Sequence, residues 1–282
     1  MKLNACYSYF ILIVILLSGC APSSPTIVPI LTETPFLSPT TLSPLSTKTP
    51  VPIATLTPPA TLNFNEAANS MATLLKESID CQAPCFWGIT PGQSTLGEAQ
   101  NIFTRFRLLM ENTTKVGDFE FYDVDHNFSN NLSISILLIA QNDLVKGLTV
   151  DISPETQKVG RQKEWSAYSP ETLINQYGVP SKINFDVDRG MSPGYGIAMF
   201  FDAVDLIAYY RSDSLGAGLR VCPLLDHVDY IRLWMGENPR HPPANDRIPL
   251  DEATSLTMEE FANLMTGGPA KACFTLNRNA FP

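Results

Sequence analysis

The apolar positions of this chain change period several times, and each change marks a boundary. The first apolar stretch, Tyr9-Phe10-Ile11-Leu12-Ile13-Val14-Ile15-Leu16, is unbroken and follows Lys2. A basic start and an apolar run of this length predict a secretory signal, short for a bilayer span. From Ala21 to about Leu62 no period exists: Pro, Thr and Ser dominate, and Glu33 and Lys48 are the only charges. Such sequence buries too little apolar surface to offset chain entropy and reads as an extended tether.

Periodicity returns with Ala67, Ala68, Met71, Leu74 and Leu75, which predict a helix over Asn65 to Ser78. The cluster Cys81-Gln82-Ala83-Pro84-Cys85-Phe86-Trp87-Gly88-Ile89-Thr90-Pro91-Gly92 has no period and reads as an ordered loop. Thr95-x-x-Glu98 matches a capping box, and Ala99, Ile102, Phe103, Phe106 and Leu109 follow at helical spacing. Phe119 to Val124 is strand-like. Leu132, Ile134, Ile136 and Leu138 alternate, as do Leu148, Val150 and Ile152, with Asn142-Asp143 as the turn between them.

The order then repeats. Ser169-Pro170-Glu171 caps a helix carrying Leu173, Ile174 and Tyr177, and Gly178 with Pro180 ends it. Ile183, Phe185 and Val187 alternate, and Ile197–Phe201 and Val204–Tyr210 form a pair joined at Asp202-Ala203. Val221 to Met235 satisfies either period. Gly236 to Pro249, with four prolines, reads as loop, and Thr257-x-x-Glu260 begins a last short helix stopped by Gly267-Gly268. The expected fold is α+β: two helix-plus-antiparallel-hairpin units sharing a sheet, with a C-terminal short helix.

Gly92-x-x-Thr95-x-x-Glu98 and Tyr177-Gly178-Val179-Pro180 give this arrangement a family likeness. It resembles the SmpA/OmlA (BamE) envelope lipoproteins and the tandem β-lactamase inhibitory protein. In those, a helix opens at Gly-x-Thr-x-x-Glu, closes at Leu-Gly-x-Pro and runs into an antiparallel sheet. The opening here is one residue longer, and no single helix carries both halves. The likeness implies a fold, not inhibition or barrel assembly.

Leu17-Ser18-Gly19-Cys20 closes the first apolar run with small residues before a cysteine and resembles the lipobox of bacterial lipoproteins. The resemblance implies diacylglyceryl transfer to the Cys20 sulfur, cleavage before it and acylation of the new amino terminus. The chain then divides into a signal peptide (1–19), a tether (20–62) and an extracytoplasmic domain (63–282). At roughly 3 Å per residue the tether reaches on the order of 100 Å. The lipid on Cys20 becomes the membrane contact, at the outer face of the cytoplasmic membrane or the cell surface. The formal charge of −9 argues against nucleic acid as a partner and against an electrostatic grip on anionic lipid.

Apart from Cys6 and Cys20, the cysteines are Cys81, Cys85, Cys222 and Cys273. Outside the cytoplasm an even number reads as two disulfides with three possible connectivities. Cys81–Cys85 and Cys222–Cys273 are the expected pairs: Pro84 and a turn bring the first together, and the second encloses a Pro-rich segment with few apolar residues of its own. Cross-pairing is the rival. The C-x3-C spacing fits neither zinc nor a thioredoxin-type redox pair, so no metal or cofactor is expected.

No hydrolase elbow, zinc-protease helix or phosphate loop occurs. His126, after Asp123 and Asp125, reads either as a ligand or base beside carboxylates or as part of a polar turn. Asp226-His227-x-Asp229, near Cys222, reads either as an imidazole oriented by flanking carboxylates or as solvated charge at the start of an element. Asp186 and Asp188 read as outward residues of a half-buried strand, and Gly190 to Gly196 as a binding loop or a long hairpin connection. The sequons at Asn112, Asn127 and Asn131 are incidental beside a lipobox. Phe86 and Trp87, on the disulfide-pinned loop, are the candidate binding surface for an envelope protein or glycan, or else cover a small core. The expectation is therefore a lipid-anchored, non-catalytic binding module. An envelope structural or assembly factor, or an enzyme without a short motif, are the alternatives.

Overall fold

The computed structural model describes residues 60–77, 81–128, 132–154, 165–190, 193–224, 228–237, 247–268 and 271–281. The expected signal peptide, Cys20, nearly all of the tether and the Asp226-His227 pair lie outside the described residues.

Helix α1 (Phe64–Lys76) starts from a capping box: the Asn63 side chain accepts from the Glu66 N–H, and Glu66 accepts from the Asn63 N–H. It buries Ala67, Met71 and Leu75, the expected face, and ends at Lys76. Helix α2 (Leu96–Arg105) has the same box at Thr95 and Glu98. It stops before Phe106, so Leu109 stands 78% exposed instead of extending the buried stripe. Each box satisfies amides that a helix start otherwise leaves unpaired.

Four antiparallel strands follow: β1 (Glu111–Val116), β2 (Phe119–Asn127), β3 (Leu132–Gln141) and β4 (Leu144–Pro154). Strand β1 has no sequence signature because all its residues are exposed at the sheet edge, leaving no buried face to impose alternation. The β3–β4 turn is Asn142-Asp143, both at positive φ. Helix α3 (Pro170–Tyr177) has Ser169 as its cap, proline in its first turn and Gly178 at φ 83° beyond its end.

Strands β5 (Lys182–Asp188), β6 (Gly194–Phe201) and β7 (Leu206–Ser212) form a meander. The stretch of two-fold periodicity resolves into a short β8 (Arg220–Val221) and a long β9 (Tyr230–Gly236). Strand β9 lies between β4 and β7. The expected loop ending at Pro249 is corrected at its last residues. Ile248–Pro249 forms β10, a two-residue edge strand on β5, a position that tolerates a proline without an N–H. Helices α4 (Leu250–Ala253) and α5 (Met258–Thr266) and strand β11 (Phe274–Thr275), which pairs with β8, complete the chain.

The result is a mixed α/β chain around one antiparallel sheet ordered β1-β2-β3-β4-β9-β7-β6-β5-β10, within a compact unit spanning residues 56–282. One sheet face carries Ile134, Ile136, Val150, Leu233, Ala208 and Ile197, packed with Met71 of α1, Phe103 of α2, Leu173 of α3 and Phe261 of α5. The other carries a separate cluster of Ala198, Tyr209 and Trp234. The alternation of β7 and β9 between the two faces is the two-residue period of a strand.

Candidate functional site

The two described disulfides join Cys81 to Cys85 and Cys222 to Cys273. The first closes a loop that the rest of the chain holds at several points. The Ala83 N–H donates to the Tyr177 hydroxyl of α3 (2.7 Å), and the Gly88 N–H to Cys81 Sγ (3.1 Å). Beyond it, Gly92 N–H donates to the Val145 carbonyl, Val145 N–H to the Ser94 carbonyl and Leu96 N–H to the Asp143 carbonyl. The segment leading into α2 is thus stitched to the β3–β4 hairpin.

Within this frame Phe86 and Ile89 exchange two backbone hydrogen bonds of 2.9 Å around Trp87 (φ 53°) and Gly88 (φ 91°). A turn with positive φ at both central residues favours Asn or Gly. Gly88 meets that demand. Trp87 meets it at a cost of about 1–2 kcal/mol for an L-residue in the left-handed region. Ring packing offsets the strain: Trp87 stacks on Phe86 with centroids 4.9 Å apart and meets Phe106 edge-on at 5.7 Å.

Phe86 is fully buried and Trp87 is 5% exposed, as in the reading that has them cover a small core. The turn folds Phe86 against the Tyr168 ring and Trp87 against Phe106, just beyond the end of α2. Trp87 nevertheless lines an open groove of about 530 Å³ along α2, with Gln93, Asn101, Ile102, Arg105 and Phe106. Its indole Nε1–H is buried and has no acceptor among the described residues. A buried donor left unpaired costs roughly 1–3 kcal/mol. The groove combines apolar Ile102 and Phe106 with the side-chain amides of Gln93 and Asn101. Glu98 also lines it, but one carboxylate oxygen is engaged by Thr95 at the start of α2. Such a lining suits a ligand with an apolar body and carbonyl or hydroxyl acceptors.

The remaining sequence candidates are dispersed. His126 is not in a turn: β2 continues through it, and its ring packs edge-on against Phe128 at 4.5 Å. Its Nε2 is buried without a partner among the described residues, and burial lowers its pKa. Asp186 is half-buried and Asp188 exposed, as their strand positions predict. Asp229 accepts from the Asp213 N–H. Among the described residues no group of His, Cys, Asp and Glu is arranged to hold a metal ion.

Of the array on the second sheet face, only Asp186 was among the sequence candidates. Asp151 of β4 accepts a bidentate pair from Arg232 of β9 and a third bond from the Tyr230 hydroxyl. The Arg232 guanidinium lies 5.0 Å from the Tyr230 ring and 5.5 Å from the Trp234 ring. Arg247 stands 4.4 Å from the Tyr209 ring and pairs with Asp186 at 3.1 Å. The Tyr209 hydroxyl, its pKa raised to about 12 chiefly by burial, donates to Asp186 across β6. Gly196 of β6 makes that reach possible, because a Cβ there would stand 2.4 Å from both the Tyr209 hydroxyl and Asp186 Oδ1.

Comparison of the chain with protein-family models, with curated proteins and with solved structures gives no match, so the site is read from its own geometry.

Proposed function

We propose that this chain is a lipid-anchored, extracytoplasmic, non-catalytic binding module. In this reading Cys20 carries the lipid, residues 20–62 are the tether and the domain 63–282 takes a ligand in the groove beside α2. The supporting observations are that Trp87 lines that groove and that its indole N–H is buried without a partner among the described residues. A ligand carbonyl would satisfy it, turning a cost in the free protein into a contribution to binding. An amide-bearing ligand fits the lining: a peptide segment of an envelope protein, or an acetamido-bearing glycan. Helix α2 with β1–β4, and α3 with β5, β6, β7 and β9, read as the two units of the BamE-like and inhibitory-protein-like resemblance, meeting where β4 pairs with β9.

A second reading, an envelope assembly factor that meets a protein partner across the other sheet face, draws on its Tyr, Trp and Arg content, the residue types that dominate interface energetics. Two experiments test the proposal. Cys20→Ser should abolish partitioning of the expressed protein into a detergent phase; unchanged partitioning would contradict the anchor. Trp87→Phe should weaken binding of N-acetylated sugars or short peptides to the groove while leaving the protein folded. Equal binding by the variant would contradict the site.

A further inference from the structure

A second cavity, of about 340 Å³, shares none of its described lining residues with the groove. It is lined by Arg189, Arg278, Leu215, Gly216, Gly218 and Leu219 among others, and among the described residues no carboxylate lines it. Three distant segments build it: Arg189 just after β5, residues 215–219 beyond β7, and Arg278 in the final 3-10 turn. They are fastened together. Arg189 Nη2 donates to the Arg278 carbonyl at 3.2 Å, and the Leu276 N–H donates to the Leu219 carbonyl at 3.0 Å. Gly216 and Arg220 exchange two backbone bonds, β8 pairs with β11, and Cys222–Cys273 covalently joins the two sides.

The charge arrangement is unusual for a chain of net −9. Three other arginines of the chain carry counter-ions: Arg211 has Asp188 and Asp213, Arg232 has Asp151, and Arg247 has Asp186. Arg189 and Arg278 have no carboxylate partner among the described residues, and two like charges are held at one cavity. Gly218 (φ 71°) and Leu219 (φ 62°) are consecutive left-handed residues at its wall, and a glycine there contributes only backbone. Successive amides in turn conformations and guanidinium forks both favour oxyanions.

We infer that this cavity is an oxyanion site for a phosphate group. A guanidinium fork donates two parallel bonds to a pair of oxygens. A tetrahedral phosphate offers oxygens to two forks and to the backbone at once, which the two oxygens of a carboxylate do not. The phosphate can belong to a free or monoester ion, or to the diester of an anionic lipid headgroup or envelope polymer. The chemistry at the site is the same.

Isothermal titration of the full chain with inorganic phosphate, glycerol 3-phosphate and dimethyl phosphate, against acetate at matched ionic strength, tests this. At least one phosphate probe should bind saturably and more tightly than acetate. Preference for dimethyl phosphate marks a diester source, and preference for the other two a free or monoester source. Arg189→Gln with Arg278→Gln should weaken binding at least about tenfold, the loss of charge-assisted bonds. Arg189→Lys with Arg278→Lys keeps the charge but not the forks and should fall between. Arg220→Gln removes a neighbouring charge that does not line the cavity and should stay within about twofold of the parent. No saturable phosphate binding, equal binding of acetate, or an equal loss in Arg220→Gln would overturn the assignment. Circular dichroism and the thermal midpoint of each variant separate loss of the site from loss of the fold.

Discussion

Removing the two disulfides one at a time should separate their contributions by loop length. Cys222 and Cys273 are 51 residues apart, whereas Cys81 and Cys85 are 4 apart. On loop-closure entropy the long link restricts the unfolded chain by about 4 kcal/mol and the short one by about 2 kcal/mol. The described helices inside the long loop are packed, although the sparse apolar content of that segment suggested a loose hold. Leu250 and Ala253 of α4 and Phe261, Ala262 and Met265 of α5 are buried in the main core. The Cys222→Ala, Cys273→Ala variant should therefore stay folded at 25 °C and lose stability mainly through the freer unfolded state. At roughly 2–4 °C per kcal/mol for a domain of this size, its thermal midpoint should fall by about 8–16 °C. Cys81→Ala with Cys85→Ala should lose about 4–8 °C. Calorimetry of both variants under non-reducing conditions is the assay. A short-loop variant that loses as much as the long-loop one would refute the entropic account.

Other consequences follow from single contacts. Gly196→Ala places a Cβ 2.4 Å from the Tyr209 hydroxyl and from Asp186 Oδ1, so it should break their hydrogen bond and cost about 1–3 kcal/mol in chemical denaturation. A change under 0.5 kcal/mol would mean that the buried Tyr209 ring can move aside. Burial depresses the pKa of His126 below its ordinary 6.5. Its contribution is full above that value and is lost as pH falls through it toward the depressed folded value, because the unfolded chain takes up the proton first. His126→Gln should flatten the fall in thermal midpoint on the acid side of pH 6.5; an unchanged slope would assign that fall to other groups.

Much of the fold was legible because local chemistry decided it. The capping boxes at Thr95 and Thr257, the Ser169-Pro170 start and the Asn142-Asp143 turn each satisfy backbone needs within a few residues. What sequence left open was set by non-local pairing. Val221 to Met235 resolves into β8 and β9 only because β4 and β7 flank β9. Strand β1 is exposed throughout and carries no alternation to read. At the candidate site, the Cys81-to-Gly92 cluster read as an ordered loop, but the sequence left open whether Phe86 and Trp87 face solvent or a core. Their burial depends on a turn with two positive φ angles and on Phe106, 19 residues beyond Trp87, both fixed by the fold. The Asp151–Arg232–Tyr230 contacts and the Arg189–Arg278 cavity join residues 79 or more positions apart, beyond the reach of any local pattern.

Ligand binding in the groove lined by Trp87, whose buried indole N–H is unpaired among the described residues, is tested most directly by the side-chain 15N–1H signals of the three tryptophans. Trp87→Phe identifies its own signal by deletion. Titration with N-acetylglucosamine oligomers and with short N-acetylated peptides should move the Trp87 signal downfield and saturably with at least one of them. The signals of Trp165 and Trp234, which are buried but not among the groove's lining residues, should stay in place. A ligand that binds wild type and Trp87→Phe equally, leaving the Trp87 signal unmoved, would contradict the account.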